Sequence, residues 1–246
     1  MFKPSKLHHT SCQGLACRTF VPECFSLMCW NVYKNNTKHP DFTPFLTRYE
    51  KSLDFMLFQE ANFRDDKQFI VPSFAFDAAA NIEFRGEFYG VLSASRVESN
   101  HAQAYLSEGR ESLIGPHKSL LLSAYSFEDG SELLVLNVHA INFRENQRYH
   151  KELERFLELM QDHVGPMIIA GDFNSWNKKR MQKLHEIREK LSLNAVPFKQ
   201  VDKVKSFMGN HLDFIFYRGV ELVDFKVHHD HGLSDHNPLF ATFKKL

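Results

Sequence analysis

Short apolar runs, each closed by a polar or turn-forming residue, recur along the chain and predict a strand-rich protein. The run Phe25-Ser-Leu-Met-Cys-Trp-Asn-Val-Tyr33 predicts a strand over 25–33, and a second is expected over 53–59, ending at Glu60. Further strands are predicted at 87–93, 119–127, 133–139, 167–170, 212–217, 220–227 and 239–243. Helical spacing takes over where Tyr149, Leu153, Phe156, Leu157, Met160 and Val164 recur, predicting a helix over 146–164 that Gly165-Pro166 stops. Met181, Leu184, Ile187 and Leu191 mark a second helix over 178–191, and residues 42–52 suit a short one. Strands joined by a few helices define an α/β protein, but periodicity alone does not select its topology.

Composition narrows this picture in three ways. With 43% hydrophobic residues in 246, the chain can bury one sizeable core. No linker or repeat divides it, so residues 25–246 are expected to form one domain, preceded by a polar extension over 1–24 that is loosely held or draped over it. The 30 basic and 30 acidic residues cancel, which argues against the global positive field of many duplex-DNA binders. No run of about 20 apolar residues could span a bilayer, and the expectation is a cytoplasmic protein that is not integral to a membrane. Cys12, Cys17, Cys24 and Cys29 lack a paired C-x2-C knuckle, which argues against structural zinc; free thiols in a reducing compartment are expected, with Cys29 inside a buried strand.

The candidate chemistry lies where apolar runs end. Asn31 and Glu60 close two strands, and if these are neighbours their oxygens converge on one hard cation, magnesium or manganese rather than zinc. Taken singly, Asn31 serves equally well as a turn amide and Glu60 as a solvated strand end. Asp172 and Asn174 follow Met167-Ile-Ile-Ala170 and Gly171, where they could orient a water and hold a phosphate oxygen; alone, the pair is also a common Asx turn. Asn237-Pro238 constrains the turn bearing Asp235 and His236. Asp213, a carboxylate within an apolar strand, needs a partner. His139 ends the strand Leu133-Leu-Val-Leu-Asn-Val-His, with Asn137 on the same face as a weaker supporting candidate.

The ordered set Trp30-Asn31, Gln59-Glu60, Asn137-Val138-His139, Gly171-Asp172-Phe173-Asn174, Leu212-Asp213 and Ser234-Asp235-His236 resembles the endonuclease/exonuclease/phosphatase superfamily from about residue 26 to 243. That group includes DNase I, abasic-site endonucleases, inositol polyphosphate 5-phosphatases and neutral sphingomyelinases. The stretches Ala170-Gly-Asp-Phe-Asn-Ser-Trp176 and Leu212-Asp-Phe-Ile-Phe-Tyr-Arg-Gly219 look like a bacterial branch of it. The resemblance implies a DNase I-like four-layer sandwich, two face-to-face mixed sheets flanked by helices, with the site at one edge. It implies a magnesium- or manganese-dependent phosphoric ester hydrolase with Asn31, Glu60 and Asp235 at the metal. Asp172 becomes a catalytic or second-metal carboxylate and Asn174 a phosphate-orienting amide. His236 would contact phosphate or polarise water, with Asp213 fixing its tautomer, and His139 would donate to the phosphoryl or leaving oxygen.

Departures from the pattern bear on substrate. Val32-Tyr33-Lys34 stands where abasic-site endonucleases have Asp and Gly, Ala61 replaces the first of their Thr-Lys pair, and His211 stands where many relatives have Arg. Lys34, Phe143, Arg144 and Trp176 are candidate substrate contacts through phosphate pairing and stacking. The expected partner is a phosphodiester substrate, nucleic acid among the candidates. The rivals are a phosphomonoesterase or phospholipase-like hydrolase acting on an inositol phosphate or lipid headgroup, and a catalytically silent scaffold. No central site residue is missing, which counts against the scaffold.

Overall fold

In a computed structural model, residues 6–12, 17–34, 36, 38–64, 73–110, 117–142, 146–198, 203–229 and 232–246 are described. The strands are β1 (Lys6–Thr10), β2 (Cys24–Asn31), β3 (Phe55–Phe63), β4 (Ala75–Phe84), β5 (Glu87–Ser95), β6 (His101–Arg110), β7 (His117–Ser126), β8 (Glu132–His139), β9 (Met167–Asp172), β10 (Asn194–Ala195), β11 (Ser206–Phe207), β12 (Asn210–His211), β13 (Asp213–Arg218), β14 (Val220–Val227) and β15 (Leu239–Lys245). The α-helices are α1 (Phe42–Tyr49), α2 (Asn146–Met160) and α3 (Lys178–Lys190).

Alternation within each strand builds the layers. In β2, Leu27 and Cys29 point into the core between the two sheets, while Met28 and Trp30 point outward to join Phe42, Phe45 and Leu46 of α1. In β8, Leu133 and Val135 face the shared core, whereas Leu134 and Leu136 pack under Tyr149, Leu153 and Phe156 of α2 and Leu184 and Ile187 of α3. One sheet runs β1-β4-β5-β3-β2-β15-β14 and the other β10-β13-β9-β8-β7-β6. Each is mixed, with β2 parallel to β3 and β8 parallel to β9 among otherwise antiparallel neighbours. This is the four-layer α/β sandwich that the resemblance implied.

Three expectations are corrected. Part of the 1–24 stretch is not draped: β1 pairs antiparallel with β4, and the His9 imidazole lies 2.8 Å from the buried Asp77 carboxylate. β4 and β6 were not foreseen, because Ala-Phe-Asp-Ala-Ala-Ala and His-Ala-Gln-Ala carry weak strand propensity and rely on their partners. Cys12 and Cys17 are joined in a disulfide rather than free, their Cα atoms 6.0 Å apart, and this removes the thiol argument for a reducing compartment. Cys24 and Cys29 are free, Cys29 buried as expected. The second predicted strand also runs on past Glu60 to Phe63, with a bulge between Phe58 and Ala61.

Candidate active site

The parallel pairs β2–β3 and β8–β9 end on the same edge of the sandwich. Asn31 lies beside Gln59 in one register, and His139 lies directly across from Asp172 in the other. Beneath them the sheets are tied by amides: Gln59 Nε2 donates to Asn137 Oδ1 at 2.7 Å, and Asn137 Nδ2 donates to the Leu92 carbonyl at 3.0 Å. Both side chains are fully buried, so their polar groups require these partners. The tie sits one residue before Glu60 and two before His139. The bulge turns Glu60 out of the ladder with φ of +51°, a conformation uncommon for a residue with a side chain.

The C-terminal turn is locked onto β2. Trp30 Nε1 donates to the His236 carbonyl at 2.8 Å, and Ser234 Oγ donates to the Asn31 carbonyl at 2.6 Å. The motifs Trp30-Asn31 and Ser234-Asp235-His236 therefore depend on each other. His236 Nδ1 lies 2.7 Å from Asp213 Oδ2, and its Nε2 lies 4.0 Å from both Asp172 Oδ2 and Asp235 Oδ1. Asn31 Nδ2 donates to Asp172 Oδ2 at 3.1 Å, and the Asn174 backbone N–H donates to Asp172 Oδ1 at 3.0 Å. Asn174 adopts φ of +48°, and its amide nitrogen donates to the Ala140 carbonyl at 3.0 Å.

The charges in this cluster are set by burial and by one another. Burial raises the Asp172 carboxyl to about 6, reinforced by the nearby Asp213 charge. Burial opposes charge on His236, but the Asp213 carboxylate, through its field and its hydrogen bond, outweighs that and lifts the imidazole to about 9. His139 moves the other way: burial, then the Lys118 cation, pushes it well below the ordinary histidine range. Lys118 Nζ is 3.0 Å from His139 Nε2. Because an ammonium can only donate, Nε2 is the acceptor and the His139 proton sits on Nδ1. Glu60 Oε1 and Asp172 Oδ2 lie 3.7 and 3.9 Å from the same Nε2.

Asn31, Glu60, His139, Asp172, Asn174, Asp235 and His236 line one open pocket of about 210 Å³, together with Trp176. Asp213 stands behind His236, bonded to its far nitrogen. Asp235 is on the exposed rim, its Oδ2 2.9 Å from Lys205 Nζ. Lys34 Nζ lies 3.6 Å from Glu60 Oε2. Phe143 and Arg144 fall outside the described residues.

Four contributors escaped the sequence reading. Lys118 is buried at the head of the apolar run of β7, and a lone lysine there was the available signal. Arg180 is 0% exposed and clamps the two site loops from below: its Nη1 donates to the carbonyls of Ile141 and Asn174, each at 2.9 Å. Its guanidinium stacks between the rings of Tyr149 and Trp176, at 4.4 and 5.0 Å from their centroids. In sequence it looked like one more charge on a solvated helix face. Lys205 and Phe207 reach the pocket from the β11–β12 hairpin, too short to leave a periodic signal.

The sequence matches the profile of the Endonuclease/Exonuclease/phosphatase family over residues 28–236, and the chain belongs to that family. Family and fold together point to a phosphoesterase-type hydrolase. Within the family the chain is similar to UPF0294 proteins: 34% identical over 224 residues to that of Vibrio cholerae (strain El Tor Inaba N16961), covering 90% of this chain and 78% of that one. The Vibrio campbellii protein is 32% identical over 221 residues, covering 89% and 77%. Among solved structures, the fold is similar to an endonuclease/exonuclease/phosphatase from Beutenbergia cavernae, with a TM-score of 0.66 at 14% identity over 90% of this chain and 72% of that one. Humanized D. rerio TDP2 gives 0.66 at 18% identity, covering 91% and 100%, and the Bacteroides thetaiotaomicron mannosyl-6-phosphatase Bt3783 gives 0.61 at 15%, covering 89% and 99%.

Proposed function

We propose that the protein hydrolyses a phosphodiester by metal-assisted attack of water. The observation that carries this reading is the single pocket in which Asn31, Glu60, Asp172 and Asp235 supply oxygen donors beside a charged Asp213–His236 pair and a Lys118–His139 pair. The donor set fits a hard divalent cation, magnesium or manganese, since it is dominated by carboxylate and amide oxygens. The buried Asp213 Oδ1 also has no hydrogen-bond partner among the described residues, and Asp172, Asp213 and His236 present atoms within 4.8 Å of one another. Glu60, Asn31 and Asp235 would hold the ion, which when bound would neutralise phosphate charge.

The chain's own residues divide the remaining work. With its acidity near 9, His236 is an imidazolium at neutral pH and serves as a donor from Nε2 to a phosphate oxygen rather than as the base. Asp172, ionised above about 6, is the better acceptor for a proton from the attacking water. Asn31 and the Asn174 backbone hold that carboxylate in place. Lys118 is the donor in the His139 corner, because His139 Nε2 is already an acceptor; His139 positions the ammonium toward the phosphate. No covalent intermediate is required.

The test is hydrolysis of bis-(p-nitrophenyl) phosphate, p-nitrophenyl phosphate, single- and double-stranded DNA, RNA and inositol phosphates, with magnesium or manganese against EDTA. Metal-dependent cleavage of the diester that is lost in His236→Ala is the expected result. Cleavage that persists in EDTA or in that variant refutes the assignment, as does hydrolysis of monoesters alone.

A further inference from the structure

Two large aromatic side chains stand out in water at the mouth of this pocket, with an exposed methionine next to one of them in the chain, and folding alone gives no reason for them. Tyr33 is 56% exposed, Phe207 49% and Met208 74%. Tyr33 and Phe207 line the pocket from different elements, the loop after β2 and the tip of the β11–β12 hairpin, and Trp176 lines it too, its ring 6.3 Å from that of Phe207 and edge-on to it. The backbone is bent to display them. Tyr33 and Lys34 both take positive φ, +49° and +59°, held by Tyr33 N–H to Asn31 Oδ1 at 3.1 Å and Lys34 N–H to the Glu60 carbonyl at 3.0 Å. Met208 and Gly209 take +52° and +79° in the two-residue turn of the hairpin, a conformation that glycine tolerates and methionine does not favour. Strain in both loops, spent on presenting rings beside a reactive pocket, points to a bound planar group.

Building on the phosphodiesterase reading, we infer that the substrate is single-stranded nucleic acid, with an unpaired base beside the scissile phosphate stacked against Tyr33 and Phe207. The lysines match its backbone: Lys118 lines the pocket at the reacting phosphate, while Lys205 on its wall and Lys34, beside Glu60, can pair with the phosphates on either side. An aromatic mouth recognises any base by its π-face, so the preference is for strand state rather than sequence. Alternatives fit less well. A duplex keeps its bases stacked on one another and leaves no π-face free for Tyr33 or Phe207. An inositol ring has no π-face. A lipid surface needs continuous apolar area, whereas Phe207 and Met208 sit among Lys205, Ser206, Gly209 and Asn210.

The experiment uses full-length Asp172→Asn protein, to prevent turnover, with magnesium and a short oligonucleotide carrying 2-aminopurine. Fluorescence is read for the single strand and for the same strand in a duplex. Stacking quenches the single strand on binding, with affinity at least tenfold above the duplex. Tyr33→Ala or Phe207→Ala, built on the same background, weakens it about tenfold, the scale of one lost base–aromatic stack. Tyr33→Phe and Phe207→Tyr keep the ring and restore binding, which separates stacking from misfolding. Equal affinity for single strand and duplex, or no effect of either alanine, overturns the inference. So does sedimentation with phosphatidylcholine vesicles that depends on Phe207 and Met208 while no quenching is seen. Hydrolysis of bis-(p-nitrophenyl) phosphate by the unmodified protein is scored separately. If it persists while quenching fails, the hydrolase reading stands and this one falls; if it fails while quenching holds, the hydrolase reading falls and single-stranded nucleic acid is a ligand of the pocket rather than its substrate.

Discussion

Gly171 separates the stability of the sandwich from the geometry of its site. A methyl group there would stand 1.9 Å from the Val138 carbonyl oxygen and 2.8 Å from its carbon, both rigid backbone of β8, and Gly171 has φ of +148°. Relieving only the outright overlap in Gly171→Ala requires β8 and β9 to part by about 1 Å, beside His139 and Asp172, which face each other one residue further on. Overpacking costs about 1–3 kcal/mol and the unfavourable φ about 1–3 more, so a loss of about 2–6 kcal/mol is expected, or roughly 4–24 °C in Tm for a chain of this size. A displacement of about 1 Å between two site groups should also lower kcat about 100-fold in the fraction that remains folded. Gly219→Ala is the control: its methyl would meet Pro166 Cα at 2.9 Å with φ of +65°, but at the opposite end of β13, about 20 Å from Asp213. It should lower Tm and leave kcat intact. Thermal melts and diester hydrolysis at a temperature where all three proteins are folded decide the matter. Unchanged Tm and kcat in Gly171→Ala, or an equal fall of kcat in both variants, would refute the reasoning.

Four further outcomes are expected. In Asp213→Asn, His236 loses the carboxylate that raises it to about 9, and its titration, followed by NMR in EDTA, should move down by more than one pH unit; an unmoved midpoint would show that Asp213 does not charge it. Glu152, buried beneath the Ile141 loop, is raised by burial to about 8, so in the folded protein it favours the proton, and stability should fall as pH rises from about 4.5 through 8. Glu152→Gln should remove that slope, melting close to the wild type at pH 5 and above it by several degrees at pH 9; parallel Tm curves would contradict the assignment. Glu60→Ala should weaken magnesium binding at least tenfold by calorimetry without changing Tm by more than a few degrees, and unchanged affinity would take Glu60 out of the metal shell. Arg180→Met keeps the bulk but loses both carbonyl partners, so kcat should fall more than KM rises and Trp176 emission should shift, with Arg180→Lys recovering part of each; equal loss in Met and Lys variants with no spectral change would leave only a structural role.

What could be read in the sequence follows from where each signal is stored. Strands buried on both faces announced themselves as apolar runs, so β8 and β5 differ from their predicted bounds by only one and two residues at one end, and the more exposed edge strand β14 has the predicted bounds. The residues now seen around the pocket lay where those runs end, and their order along the chain gave the architecture its name. β4 was invisible because its alanines are packed by neighbours rather than chosen for extended structure, and β1 because its burial depends on β4. Lys118 and Arg180 escaped for a different reason. A buried cation is recognised by its partners, and those partners, His139 for one and two loop carbonyls for the other, are 21 residues or more away except for Asn174. The Cys12–Cys17 bond was missed because free thiols were expected from the compartment, and the spacing of two cysteines does not by itself say whether their Cα atoms come within reach.

The neutrality of the chain, which argued against the global positive field of many duplex-DNA binders, looks different once the pocket is seen. Lys34 faces Glu60, Lys205 faces Asp235, and Lys118 donates to His139 Nε2, an atom that lies 3.7 and 3.9 Å from the Glu60 and Asp172 carboxylates. Each cation is therefore balanced within a few ångströms, and the sum over the sequence reports that balance rather than an absence of positive groups. Such pairing also explains how a lysine as buried as Lys118 is sustained, since an ammonium removed from water needs both a hydrogen-bond acceptor and nearby negative charge. A phosphate entering the pocket finds the positive groups already in place, and a hard cation finds the carboxylates. The local arrangement of charge, not its total, is the property that bears on substrate here.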